Sequence, residues 1–71
     1  MVIGMKVTYD KEADAAYIYL KRISPGEVKD TIELNESITL DFDSKKRLIG
    51  IEILAASKVV PKGAVAAMQT A

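Results

Sequence analysis

Leu48-Ile49-Gly50-Ile51-Glu52-Ile53-Leu54-Ala55 is the stretch whose reading decides the fold. Its β-branched residues favour a strand, and it is apolar on nearly both faces. Such a strand belongs at the centre of a sheet or under a second subunit. Immediately before it, the charged run Asp43-Ser44-Lys45-Lys46-Arg47 reads as a turn. Before that turn, Ile38, Leu40 and Phe42 alternate with Thr39, Asp41 and Asp43, the period of two of a half-buried strand. The two together make a hairpin, Ile38 to Ala55.

Asn35-Glu36-Ser37 is a polar break in front of this hairpin, and Val28 to Leu34 is a further alternating strand. Its apolar side carries one polar residue, Asp30, which places that side near a solvent edge. Ser24-Pro25-Gly26 is a strong turn signal, because Pro presets φ and Gly supplies positive φ. Earlier still, Met5, Val7 and Tyr9 alternate with Lys6, Thr8 and Asp10, and the polar run Asp10 to Asp14 reverses the chain. Ala15 to Lys21 puts Ala16, Ile18 and Leu20 on one face and Tyr17 and Tyr19 on the other. A helix from Glu12 to Arg22 is the rival reading, since Ala, Glu, Lys and Leu are good helix formers. It spreads Tyr17, Ile18, Tyr19 and Leu20 around its circumference instead of along one stripe, which favours the strand.

These segments give a mainly β domain: an antiparallel sheet of about five strands, made of two similar hairpins plus a connecting strand. The domain spans residues 5–58. Residues 1–4 read as an extension ahead of a second methionine, and residues 59–71 as a C-terminal arm, a short helix or a frayed end, broken by Pro61 and Gly63. The hairpins resemble one another. Sliding the chain by thirty-three positions lays Tyr9-Asp10 on Phe42-Asp43, Ile18 on Ile51 and Leu20 on Ile53. Two turns of similar length shaped by the same physics account for the likeness, and a pair of related half-sites is the functional alternative.

A chain of 71 residues buries only roughly 60% of the surface its unfolded form exposes. Small domains usually offset this with disulfides, a metal or a partner subunit, and this one has no Cys and no His. Self-association is the remedy that remains, with a dimer expected. Hydrophobic residues at 49% and charged residues at 28% make a globular composition. Ten Lys and Arg balance ten Asp and Glu, so no net field draws the molecule to nucleic acid. The longest apolar run is far short of the ~20 residues of a spanning helix, and no basic-then-apolar leader opens the chain. A cytoplasmic location is the default expectation.

Constellations for chemistry are sparse, and the sequence assigns no catalytic, cofactor-binding or metal-binding residue. Asp10, Glu12 and Asp14 match the first, third and fifth positions of a calcium loop. Ala15 then replaces the bend Gly, and Lys21 stands where the bidentate Glu belongs, so a solvated turn is the reading. Asp41, Asp43 and Glu52 form a carboxylate set that could split pKa values for acid and base work if held in one apolar site. Exposed or ion-paired carboxylates are the simpler account, and no His or Cys supplies a base or nucleophile. Lys45-Lys46-Arg47 and Lys21-Arg22, with Tyr17 and Tyr19 to stack on bases, are the one hint of nucleic acid. Alternating tyrosines more often cover a core or a subunit interface.

Tyr9 to Leu20 (YDKEADAAYIYL) and Asp41 to Ser57 (DFDSKKRLIGIEILAAS) together resemble the domain of unknown function 2283 family, small prokaryotic proteins. The likeness runs from Met5 to about Lys58 and rests on Tyr9, Asp10, Ala13, Asp14, Tyr17, Asp41, Asp43, Gly50, Ile51, Glu52 and Ser57. Lys45-Lys46-Arg47 departs from the family's pattern, which has an acidic residue or Gly before the basic one. The resemblance implies a β-rich fold and a prokaryotic setting and no reaction. It implies an antitoxin-like partner role as an alternative. The expectation is therefore a non-catalytic module for self-association or protein interaction, dimerising through Leu48 to Ala55 or through Tyr17 and Tyr19. The alternatives are an antitoxin-like partner of a small basic protein using the acidic turns, and a carboxylate enzyme.

Overall fold

The structure is a computed structural model that describes residues 5–70; the expected extension at residues 1–4 lies outside them. Five strands form one antiparallel sheet: β1 (Lys6–Asp10), β2 (Ala15–Tyr19), β3 (Asp30–Glu33), β4 (Ile38–Phe42) and β5 (Leu48–Leu54). Two short helices follow, α1 (Ala56–Val59) and α2 (Lys62–Thr70). The strand order is β1-β2-β5-β4-β3, so β5 is the centre of the sheet. That is the place its doubly apolar sequence demands. Ala15–Tyr19 is strand, not helix, and the third strand is shorter than its alternation, starting at Asp30 on the exposed edge. Gly26 at φ 79° and the bond from the Glu27 N–H to the Ser24 carbonyl complete the Ser24-Pro25-Gly26 turn.

The register supports the internal repeat more deeply than turn physics requires. Val7 opposes Ile18 in the first hairpin, and the residues thirty-three positions on, Leu40 and Ile51, oppose each other in the second. Lys6–Tyr19 likewise becomes Thr39–Glu52, and Thr8–Tyr17 becomes Asp41–Gly50. Ile18 and Ile51, equivalent in the two copies, are direct partners across β2 and β5. An approximate two-fold axis therefore passes through that pair, normal to the sheet. It fails at Phe42, which a register shift pairs with Leu48.

Alternation sorts the side chains cleanly, since directly opposed residues share a face. One face carries Val7, Tyr9, Ala16, Ile18, Ile51, Ile53, Leu40 and Ile32. The other carries Tyr17, Tyr19, Gly50, Glu52, Asp41, Thr39 and Thr31. The helices lie on the apolar face over β1 and β5, where Val60 and Met68 pack with Tyr9, Ile18 and Ile51 around Ala16, Ile53 and Ala56. This is the core. Among the described residues no helix packs on the β4–β3 side with comparable extent, and Ile32 is 52% exposed.

Candidate functional site

The polar face is organised around Tyr17. Its ring lies over Gly50 on the neighbouring strand, and its hydroxyl donates to Asp41 Oδ2 at 2.5 Å. Thr31 Oγ1 donates to the other Asp41 oxygen at 2.9 Å. Tyr19 meets Tyr17 edge-on, with ring centroids 4.6 Å apart, and Lys6 Nζ sits 5.8 Å from the Tyr19 centroid. One line of contacts thus runs from β1 to β3 across the whole sheet. Burial, followed by the bond to Asp41, pushes the Tyr17 phenol well above its ordinary value. Tyr17 and Tyr19 are therefore part of a polar lattice over the sheet, and Tyr17 covers a backbone glycine in place of a core.

A second cluster joins the first turn to the helices. Asp14 accepts from Tyr9 Oη at 2.6 Å, from Ser57 Oγ at 2.6 Å and from the Ser57 N–H at 3.1 Å, while its carbonyl accepts from the Ala56 N–H at 2.9 Å. Two backbone kinks frame it, Asp14 and Ala55, each with φ 52°. Asp tolerates the left-handed region because its side chain bonds locally; for Ala the region costs about 1 kcal/mol, which the clamp offsets. The Ser57 hydroxyl, then Tyr9, hold the Asp14 carboxyl below the usual carboxylate range, and the Asp14 bond raises the Tyr9 phenol.

The carboxylate set of Asp41, Asp43 and Glu52 does not converge. Asp41 and Glu52 share the polar face, but Asp43 leaves the strand and turns inward, 4% exposed. Its Oδ1 accepts from the N–H groups of Lys45 and Arg47 at 2.9 Å each, and its Oδ2 from Arg47 Nε at 2.9 Å. Asp43, expected on the outer face as a solvated or ion-paired carboxylate, is ion-paired with Arg47 but buried, because the turn's N–H groups need an acceptor. These backbone donors, chiefly that of Arg47, lower its pKa. In the first turn Asp10 does the same for Glu12 and Ala13, at 3.0 and 3.3 Å. Asp10 Oδ1 and both Asp14 oxygens accept from protein donors, and among the described residues no three metal-ligating side chains gather.

Sequence reasoning missed the pairings Tyr9–Asp14–Ser57 and Tyr17–Gly50–Asp41. One signal was present: a glycine in the interior of the most apolar strand marks a close approach. The approaching group, thirty-three positions earlier, was visible only as an outward tyrosine.

The clamps give the pH profile its shape. Asp14 and Asp43 have folded pKa values below their unfolded ones, so their stabilisation is complete above the ordinary carboxylate value of about 4 and is lost as pH falls through the folded values. Tyr9 and Tyr17 are raised, so their stabilisation is complete below about pH 10 and is lost as pH rises through the folded values. No His titrates between the two. Urea denaturation across pH is expected to show losses below about pH 4 and above about pH 10. Difference absorbance should show Tyr9 and Tyr17 ionising above the ordinary phenol value of about 10; complete ionisation of both near pH 10 would contradict these contacts.

The positions that carry the family resemblance are largely those that pair here: Tyr9 with Asp14 and Ser57, Tyr17 with Gly50 and Asp41, and Asp10 and Asp43 with their turns. No curated protein and no solved structure matches the chain. The model of the family described as protein of unknown function (DUF2283) matches residues 6–57, most of the chain, and the protein belongs to that family.

Proposed function

We propose that this domain is a non-catalytic self-associating module, and that a second copy of the chain covers the open half of its apolar face. The carrying observation is the uncovered half of the apolar face: the helices pack over β1 and β5, and on the far side Ile32 is 52% exposed. The shape agrees: the radius of gyration is 12.4 Å in a slab of 33 × 33 × 18 Å, against about 11 Å for a compact chain of this length.

The helices restrict how two copies can meet. They occupy the β1 side of the apolar face, so a two-fold axis across the strands would stack helix on helix. An axis along the strands beside β4 sets open half on open half, with Leu40 near the centre. Stacked sheets lie ~10 Å apart, about one helix diameter, so each copy's helices then flank the other's β3 edge. This replaces Tyr17 and Tyr19 as the dimer surface. The bonded carboxylates Asp14, Asp41 and Asp43 support the non-catalytic part, since each holds structure together.

Sedimentation equilibrium is expected to give twice the chain mass at micromolar concentration. Leu40→Lys should weaken association at least about tenfold, and Thr39→Lys on the opposite face should not; a stable monomer at micromolar concentration would overturn the proposal. A hetero-partner in the antitoxin-like manner, using the acidic turns, has less support, because Asp10, Asp14 and Asp43 are committed to backbone and hydroxyl donors.

A further inference from the structure

The zero net charge conceals a strong separation. β1 starts, β2 ends, β3 starts, β4 ends and β5 starts at the same end of the sheet. That end gathers Lys6 from the first strand, Lys21 and Arg22 from the segment after β2, and Lys29 from the approach to β3. Lys45, Lys46 and Arg47 join them from the turn between β4 and β5. Seven of the ten Lys and Arg are therefore at one end, facing four carboxylates, Glu27, Asp30, Asp43 and, in the same cross-strand row as Lys6, Asp41, for a local balance of +3. The opposite end carries the compensating acid.

Of the seven, Lys21 is ion-paired with Glu27 and Arg47 with Asp43; among the described residues the other five make no ion pair. A hollow of about 330 Å³ opens here, lined by Lys6, Tyr19, Lys21, Arg22 and Ile23, with no carboxylate in its wall. Lys6 lies over the Tyr19 ring at its rim.

We propose that this end binds the phosphate backbone of a single-stranded nucleic acid. A discrete anion needs one focus of charge, but these cations extend over the whole sheet width, about 19 Å for four interstrand spacings. A linear polyanion can run along the five unpaired ones, and Tyr19 beside the hollow supplies an aromatic surface for a base. Acidic protein segments satisfy the cations without using the ring, which favours nucleic acid. The monomer suffices for the site. If two copies meet along the strand direction, both basic ends point the same way and the surface doubles.

The test is fluorescence anisotropy with labelled oligothymidylate across a salt series. With four to five phosphates engaged, log K should fall with log salt with a slope of about −3. Arg22→Ala with Lys46→Ala should weaken binding about tenfold and reduce the slope by about 1.4, while Lys58→Ala with Lys62→Ala, away from this end, should change neither. Absence of binding at low salt would overturn the proposal. So would equal losses in both double variants, or displacement of the oligonucleotide by polyglutamate as readily as by unlabelled oligothymidylate.

Discussion

Replacing Gly50 by Ala is expected to destabilise the domain by about 2–4 kcal/mol, although alanine is ordinarily the better strand residue. Gly50 is not needed for an unusual backbone angle; it is needed for space. A Cβ there would lie 1.9 Å from Tyr17 Oη and 2.6 Å from its Cζ. Tyrosine is too stiff to yield locally, so the ring must swing away. It then gives up the 2.5 Å bond to Asp41 and the edge contact with Tyr19. Asp41 is left with Thr31 alone, and the loss of one hydrogen bond to a charged acceptor accounts for about 1.5–3 kcal/mol of the total. The diagnostic experiment is a double-mutant cycle. In a Tyr17→Ala background, Gly50→Ala meets no ring and should be neutral or slightly stabilising, reversing its sign. Equal costs in both backgrounds would show that the glycine serves the backbone and not the tyrosine.

This pair also shows why the fold was legible in the sequence and the site was not. Sheet alternation has a period of two and is written locally, so Ile38, Leu40 and Phe42 revealed β4 without reference to any other segment. The run apolar at Leu48, Ile49, Ile51, Ile53 and Leu54 asked for a central place or a covering subunit, and β5 is central, although Leu48 and Leu54 stay exposed. The contacts that define the site join residues distant in the chain. Tyr17 and Asp41 are on strands separated by β5, and Ser57 reaches back to Asp14. A hydroxyl on an outward face looks the same in sequence whether it meets water or a carboxylate across the sheet.

Charge behaved in the same way. Net charge is a sum over the chain, and zero argued against a polyanion. Antiparallel topology sorts residues by sheet end instead, and it brought Lys21 and Arg22 to the same end as Lys45, Lys46 and Arg47. The repeat is an intermediate case. Its spacing could be read from Ile18 and Ile51, but only the register shows that these two face each other on an approximate two-fold axis. The unit repeated is therefore a hairpin that pairs with its own copy across β2 and β5. Gly50 stands at the position equivalent to Tyr17, and this one asymmetry lets a single tyrosine cross the axis.

Asp14→Asn is expected to detach the helices from the sheet while leaving the sheet folded. The substitution keeps the side-chain shape, and asparagine accepts the φ 52° backbone at least as well as aspartate, so strain is not introduced. What changes is acceptor capacity. The carboxylate accepts from Tyr9 Oη, Ser57 Oγ and the Ser57 N–H, whereas an amide offers one accepting oxygen and turns its NH₂ toward a donor. These bonds are the polar tie between the first turn and the start of α1, and α1 in turn sets α2 over Tyr9 and Ile18. With the tie weakened, the left-handed Ala55 loses its compensation, and the short helices, too brief to be stable in water alone, open as a unit. Hydrogen exchange should show α2 amides exchanging at least about tenfold faster, with β2 and β5 amides changed much less. Tyr9→Phe and Ser57→Ala, each removing one side-chain donor, should give smaller accelerations in the same helix. Lowering the pH through the Asp14 titration should reproduce the effect in the unsubstituted chain, because a protonated carboxyl, like the amide, loses an accepting site. Uniform acceleration across helices and sheet would instead mean that the domain opens only as a whole and that Asp14 is one contact among many.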